Sequence, residues 1–406
     1  MSTLKVNSLR STTASSDGLT LDGSGNITAP GNTTCSGTLA VTKELTAKNF
    51  ANRNLIINGA MQVAQRSSAA VNDNGMETVD RFRLDYSGTD NNPTQAQHAL
   101  TSSDTGPWEK GFRYSWQITN GDQSSGAGAA DYIEIKYNME AQDLANSGWD
   151  YTSASSYITL SFWVKSSVAQ TFYGYIDTID GTGQRYSFSF ALSANTWTKV
   201  IKTIPGAANI TVNNDNGKGL QISFVPFYGT DYTNNNTLDT WAEKVTGNYF
   251  PDQTSTWWTT DDATFELTGV QLEVGEVATE FEHRSYGDEL LRCMRYCQRY
   301  DTGGDTWVFV AQGNVDGDNE TFPLLKEFQV PMRVKPSSMA TTGTASDYYV
   351  RRDSSKACSA VPTFNAPGPY SVQVLFKSAS HGWETGHNVK GYLKDSGAYL
   401  LFSAEF

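Results

Sequence analysis

Apolar and polar residues alternate with a period of two along most of the chain. Phe112, Tyr114, Trp116 and Ile118 interleave with Arg113, Ser115 and Gln117, and Ile133, Ile135 and Tyr137 with Glu134 and Lys136. Ile158, Leu160, Phe162 and Val164 interleave with Thr159, Ser161, Trp163 and Lys165, and Tyr186, Phe188 and Phe190 with Arg185, Ser187 and Ser189. Such alternation turns one side of a strand to a core and the other to water. Gly-, Asn-, Asp- and Ser-rich loops separate these segments, which predicts an antiparallel sandwich and not a βαβ fold. Near Gly269 the apolar phase slips: Phe265 and Leu267 are odd, whereas Val270, Leu272 and Val274 are even. One extra residue in the strand, a β-bulge, accounts for the slip.

A second β region follows residue 300. Val308 and Val310, Phe328 and Val330, and Val372, Val374 and Phe376 read as strands, and the C-terminal GAYLLFSAEF alternates as well. Between the two regions the period changes. Ser285 followed by Asp288 three residues on is a capping pattern, and Asp288 and Glu289 put negative charge where a helix dipole favours it. Leu290, Cys293, Met294 and Cys297 then share one helical face, opposite Arg292, Arg295 and Arg299. The spacing predicts a helix over 285–300 whose apolar stripe needs a partner, either its own domain or three copies meeting at an axis.

Residues 1–51 are Ser-, Thr-, Gly- and Asn-rich. Short pieces (Leu19 and Leu21; Ile27 and Ala29; Leu39 and Val41) each resemble one strand ended by a turn. One copy has too few apolar residues for a core, so the segment is either a disordered tail or three copies wrapped round a common axis that buries them. A homotrimer is the expected arrangement.

Composition narrows the partners. The formal charge is −13, which argues against nucleic acid or an anionic membrane as the main partner. No segment has the apolar core of a signal peptide or the length of a bilayer span, so a soluble protein made in a cytoplasm is expected. Charged residues are only 18%, while Tyr numbers 20, Phe 19 and Trp 10, a balance that suits a β-rich protein with aromatics in its cores and some free to stack on sugars. The cysteines Cys35, Cys293, Cys297 and Cys358 have neither zinc-type spacing nor good bridging geometry, and they read as small buried apolar residues.

Catalytic chemistry is sparse. No nucleophile elbow, phosphate-binding Gly-Lys loop or H-E-x-x-H stretch occurs. The carboxylate pairs Asp177 and Asp180, Asp261 and Asp262, and Asp316 and Asp318 could form a glycosidase, but an acidic chain produces such pairs by chance. Asp316, Asp318 and Glu320 lack EF-hand spacing, and HGWETGH at 381–387 matches no standard zinc motif, so no metal and no cofactor are expected. Trp383, in that polar loop, is a flat surface of the kind sugars stack on. Tyr348, Tyr349, Arg351 and Arg352 form a second such group, whose arginines could pair with a carboxylate or phosphate on a glycan.

Three stretches carry a family resemblance: NRNLIINGAMQVAQR at 52–66 with TVDRF at 78–82, GVQLEVGEVATEFEHRSYGDELLRCMRYCQRY at 269–300, and FPLLKEFQVPMRVKP at 322–336. Together they resemble tail-fibre and receptor-binding proteins of bacteriophages, notably those of aquatic bacteria. The resemblance implies a fibrous attachment segment at 1–51 that meets other tail proteins, and a jelly-roll domain like carbohydrate-binding modules at 52–284. A linking helix at 285–300 and a C-terminal β-sandwich tip at 301–406 would complete the fibre. The function implied is a non-enzymatic virion protein that binds a host-surface glycan such as lipopolysaccharide. A polysaccharide depolymerase and a purely structural connector are the alternatives.

Overall fold

The computed structural model describes residues 8–9, 19–21, 27–28 and 52–406, apart from 235, 318, 319 and 380. The chain divides into two compact units, 1–50 and 51–406. In the first, β1 (Ser8–Leu9), β2 (Leu19–Leu21) and β3 (Ile27–Thr28) form a small antiparallel sheet. The alternation expected at Leu39 and Val41 lies outside the described residues.

The second unit begins with an eleven-stranded sandwich, as the alternation predicts. Its strands are β4 (Phe82–Ser87), β5 (Thr94–Ala99), β6 (Tyr114–Thr119), β7 (Tyr132–Glu140), β8 (Tyr157–Ser166), β9 (Gln170–Thr178), β10 (Gln184–Leu192), β11 (Thr198–Pro205), β12 (Lys218–Tyr228), β13 (Trp241–Glu243) and β14 (Thr264–Val274), with a one-turn helix α1 (Ala141–Ala145) after β7. One sheet runs β13-β10-β9-β12-β7-β4 and the other β11-β8-β14-β6-β5, antiparallel throughout. Between them lie Trp116, Ile118, Ile135, Leu160, Phe162, Phe188, Phe224 and Phe265, each fully buried. The slip at Gly269 is a bulge: the β14–β8 register shifts between Thr268 and Gln271. Gly269 has φ +62°, and a Cβ there would sit 2.7 Å from the Phe112 ring, so both conformation and space call for glycine.

α2 (Tyr286–Met294) follows, then β15 (Cys297–Asp301), β16 (Val308–Asn314), β17 (Thr321–Glu327), β18 (Ser338–Thr341), β19 (Tyr348–Arg351), β20 (Ser355–Ala357), β21 (Ala360–Asn365), β22 (Ser371–Lys377), β23 (Asn388–Leu393) and β24 (Tyr399–Ser403). A seven-stranded sheet, β20-β19-β23-β16-β17-β22-β21, is covered by a three-stranded one, β15-β24-β18. Phe322, Leu324, Val350, Val374 and Phe376 meet Leu400, Phe402 and Ala404 in the core between them. Cys293, Cys297 and Cys358 are buried free thiols, and Cys35 lies outside the described residues.

The helix is shorter than its spacing predicts. Ser285 caps it as expected, its Oγ accepting the Asp288 amide at 3.2 Å. It ends at Met294, and Cys297 belongs to a strand. Residues 297–301 find five backbone partners in β24, about a hundred residues downstream, a ladder that local periodicity cannot reveal. The apolar face is also filled from within the chain. Cys293 and Tyr296 pack on Ile57 and Val63, with Leu290 and Phe406 at the margin. Because one chain supplies these partners, Leu290, Cys293, Met294 and Cys297 give no argument for a threefold axis.

The seam between the sandwiches is built from charges. Arg81 is 0% exposed and has φ +74°, an uncommon conformation for a side-chain-bearing residue. Its guanidinium pairs with Glu405 and donates to the Asn138 carbonyl oxygen at 2.6 Å. It also lies 3.4 Å from the Tyr296 ring centroid. Glu140, fully buried, accepts Arg295 at 2.6 and 2.7 Å and the Tyr296 hydroxyl at 2.6 Å. Burial pushes the Glu140 carboxyl up, but these donors outweigh it and leave it below its ordinary value.

Two predictions follow from this packing. Arg81→Ala strips Glu405 of its hydrogen-bonded partner and leaves it only Arg66 at 3.9 Å, and breaking a buried pair costs about 3–5 kcal/mol; denaturant midpoints for the two proteins measure it. The second concerns Lys326, whose ammonium lies 3.5 Å from the Tyr300 ring centroid and which burial pulls down to about 8, the charge of Glu327 opposing. A free lysine titrates near about 10.4, so between these values the unfolded chain binds more protons and stability rises with pH. Relative to Lys326→Met, wild type should gain stability from pH 8 to 9.5 and stay parallel between pH 6 and 7.

Candidate functional site

Period two sorts the seven-stranded sheet into a buried and an outward face. Tyr348, Val350, Val389 and Leu393 turn into the core and are each 0% exposed. Tyr349 and Arg351 on β19 turn outward, opposite Tyr392 and Lys390 on β23. Phe309 on β16 continues the row, opposite Tyr392. On this face Trp307 stands edge-on to Tyr349 at 4.9 Å between centroids, and Phe309 lies 6.0 Å from Tyr392. Trp307 is 40% and Phe309 49% exposed, large apolar areas to leave in water.

Two features here cost stability. Trp307 has φ +63°, a left-handed conformation that is a true outlier for a bulky side chain. Its amide donates to the Lys394 carbonyl oxygen at 3.3 Å, which holds that conformation in place. The second cost is electrostatic. Arg351 and Lys390 are directly opposed across the β19–β23 ladder, and like charges in that position are destabilising. Neither has a carboxylate partner among the described residues. They line, with Arg352, Asn388 and Tyr392, an open cleft of about 540 Å³. Lys394 pairs with Asp395 at 3.2 Å, and that bond raises its ammonium above its ordinary value.

Three of the five glycan-binding candidates, Tyr349, Arg351 and Arg352, thus meet on one surface. The other two require correction. Tyr348 is fully buried, and its hydroxyl donates to the Tyr399 carbonyl oxygen at 2.8 Å. Trp383 is 5% exposed and packs on Phe322 and His381. Its indole N–H donates to Asp353 at 2.8 Å and holds that carboxyl below its ordinary value. Neither ring offers a free face to a sugar. The polar residues around Trp383 serve its turn: the Nδ1 atoms of His381 and His387 accept the amides of Trp383 and Glu384. Trp307, Phe309, Lys390 and Tyr392 are additions from the structure. Their signal is an aromatic or cation on the outward phase of an alternation, as Phe309 is between Val308 and Val310.

Among the catalytic candidates, Asp177 is 1% exposed and receives Arg185 at 2.7 and 2.8 Å and Lys244 at 3.1 Å. Asp180 accepts the amide and side chain of Asn213. Asp262 occupies a turn at φ +53°. Asp316 accepts the Gly317 amide, and Asp318 lies outside the described residues. Asp177 and Asp180 hold structure together, and no group of three or more metal-ligating side chains gathers among the described residues.

No protein-family model and no curated protein matches the chain. Among solved structures it is similar to the enzymatically active domain of tailspike protein 4 of bacteriophage CBA120, at 12% identity over 55% of this chain and 21% of that chain, with a TM-score of 0.29. It is also similar to a putative sugar binding protein from Bacteroides thetaiotaomicron, at 12% identity over 55% of this chain and 100% of that one, TM-score 0.30. For the N-terminal cellulose-binding domain of Cellulomonas fimi β-1,4-glucanase C the values are 12%, 53%, 99% and 0.25. Likeness this distant carries no functional argument, which rests on the chain's own residues.

If the Arg351–Lys390 opposition is an unrelieved cost, Arg351→Gln should stabilise the free protein by roughly 0.2–1 kcal/mol. Thermal unfolding at low salt measures this, and the gain should shrink as salt screens the pair.

Proposed function

We propose that the chain is a non-enzymatic receptor-binding protein of a bacteriophage tail, and that the outer face of the seven-stranded sheet binds an anionic host-surface glycan. The observation that carries the binding is the opposed pair Arg351 and Lys390, set beside exposed aromatic rings. An acidic sugar would relieve the repulsion with its carboxylate, sulfate or phosphate, while a ring of the same glycan stacks on Trp307 or Tyr392. A neutral sugar would leave the two cations unpaired. The aromatic groups sit on a rigid sandwich, so little ordering cost falls on binding.

The phage assignment rests on the resemblance of residues 52–66, 78–82, 269–300 and 322–336 to tail-fibre proteins. In this reading residues 1–51 join the chain to other tail proteins. Three copies of the tip act together, so weak single-site affinity becomes firm adsorption. Lipopolysaccharide, with its phosphates and acidic core sugars, is a fitting receptor class. The role is binding without turnover.

The test is calorimetric titration of the full chain with an acidic oligosaccharide, oligogalacturonate, and with neutral cello-oligosaccharide. Binding should be confined to the acidic ligand and should weaken with salt. Lys390→Gln and Trp307→Ala should each raise Kd about tenfold, the worth of one charged hydrogen bond or one aromatic contact. Equal binding of both ligands, or unchanged affinity in both variants, would refute this assignment. Trp383→Ala is the wrong probe, because it empties a core site and costs about 3–5 kcal/mol of stability.

A further inference from the structure

The seam between the two sandwiches forms an open cavity of about 440 Å³ whose wall comes from both. The first sandwich contributes Arg66, Glu77 and Arg83, and the second Arg299, Tyr399 and Ser403. Such a junction is a preferred place for small-ligand sites. Three guanidinium groups on one cavity wall need a reason, and the bonds they make do not supply it in full.

Arg66 is the least satisfied of the three. Its side chain is only 11% exposed. Its Nη2 reaches Ser403 Oγ at 3.4 Å and Glu405 at 3.9 Å, both long contacts. Its Nη1 is buried with no hydrogen-bond partner among the described residues. A guanidinium offers five donors, and leaving one buried and unpaired costs free energy. Glu405 meets the need only in part: its Oε2 is bound by Arg81, and its Oε1 stands 3.9 Å from Arg66 Nη2 and makes no hydrogen bond among the described residues. Arg299 is held flat, 4.2 Å from the Tyr399 ring centroid, by Asp301 at 2.8 Å and by the carbonyl oxygens of Gln65 and Arg66 at 3.3 and 3.1 Å. Arg83 is 39% exposed and bonded to Asp85 at 2.8 Å through Nε alone. Glu77 has no hydrogen bond or ion pair among the described residues. The cavity therefore combines spare cationic donors with the carboxylate of Glu77, the unbonded Oε1 of Glu405 and a hydroxyl.

We propose that this cavity binds a single acidic sugar unit, its carboxylate taken by Arg66 and Arg83 and its hydroxyls by Glu77 and Ser403. The arginines would recognise the anion, and a carboxylate acceptor for hydroxyl groups separates a sugar acid from a bare inorganic anion. This site is distinct from the sheet face and rests on the glycan assignment only for the sugar. Because the two sandwiches share the wall, occupancy would also stabilise their junction, in proportion to ligand concentration over Kd.

The experiment titrates the full chain with glucuronate, glucose and inorganic phosphate, by calorimetry and by thermal shift. Glucuronate should bind saturably and raise Tm, while glucose and phosphate should bind at least about tenfold more weakly. Arg66→Gln should raise the glucuronate Kd about tenfold or more, the loss expected for a charged hydrogen bond. If Arg66→Gln does not fold, Arg83→Gln and Glu77→Gln, both at partly exposed positions, should each weaken binding severalfold. Arg351→Gln should remove only glucuronate held at the sheet face and leave the binding step that Arg66→Gln weakens. Loss in Arg351→Gln alone would place the sugar on the sheet face and overturn the cavity site while sparing the proposed function. Absence of glucuronate binding at millimolar concentration overturns it as well. Phosphate binding as tight as glucuronate would reduce the site to an anion hole and overturn the sugar assignment.

Discussion

A guanidinium taken completely out of water has to find partners within the fold, and Arg81 imposes that demand on the second unit, with only its Nε left without a hydrogen bond among the described residues. Its partners come from three places in the chain: the Asn138 carbonyl oxygen at the end of β7, the Tyr296 ring just past α2, and the Glu405 carboxylate two residues beyond β24. Satisfying one buried charge thus aligns the first sandwich, the helix and the last strand of the second sandwich. Glu140, with Arg295 and Tyr296, repeats the arrangement with the signs exchanged. A hydrophobic seam would tolerate sliding, since apolar contact is not directional. Bidentate and cation–π contacts do not, and they fix the angle at which the second sandwich is presented.

Local physics made most of the strands legible. Alternation is a property of neighbours, so Ile133 to Tyr137 or Ile158 to Val164 could be assigned a core face from the chain alone. The Gly269 bulge was equally local, because one residue flips the phase for every later position. Ser285 and Asp288 announced the helix start through a contact spanning three residues. The helix end was hidden, since Cys297–Asp301 is a strand only by virtue of Tyr399–Ser403. The short strands Ser355–Ala357 and Ala360–Asn365 offer little alternation to read, because a proline and several polar residues interrupt it.

The candidate site divided along the same line. Tyr349 and Arg351 share a phase on one strand, so their common exposure was readable. Tyr348 is the neighbour on the opposite phase, and the same rule sends it to the core. Trp383 misled because polarity of a loop says little about where one ring points. Gly382 at φ +71° and Gly386 at φ +88° turn the backbone so that the indole faces inward onto Phe322. Trp307 is the converse case. A tryptophan next to a valine-rich strand looks like core, yet its left-handed backbone turns it out of the apolar phase. Both outcomes depend on signs of φ that composition does not encode.

Arginine has two uses in this molecule, and the difference between them carries the functional argument. Arg185 is nearly fully buried, doubly bonded to Asp177 and stacked on Tyr249 at 3.5 Å. That residue has its counter-charge within the fold and needs nothing further. Arg351 faces a lysine instead of a carboxylate, and Arg66 keeps a buried donor with no acceptor. A chain carrying thirteen surplus negative charges has carboxylates to spare, so it is not for shortage of material that Arg351 lacks one and that the nearest to Arg66, Glu405, stands 3.9 Å away. Stability alone would favour pairing them, as it does Arg185. Positions that decline an available counter-charge are where an external anion has most to offer, because its binding removes a cost already present in the free protein.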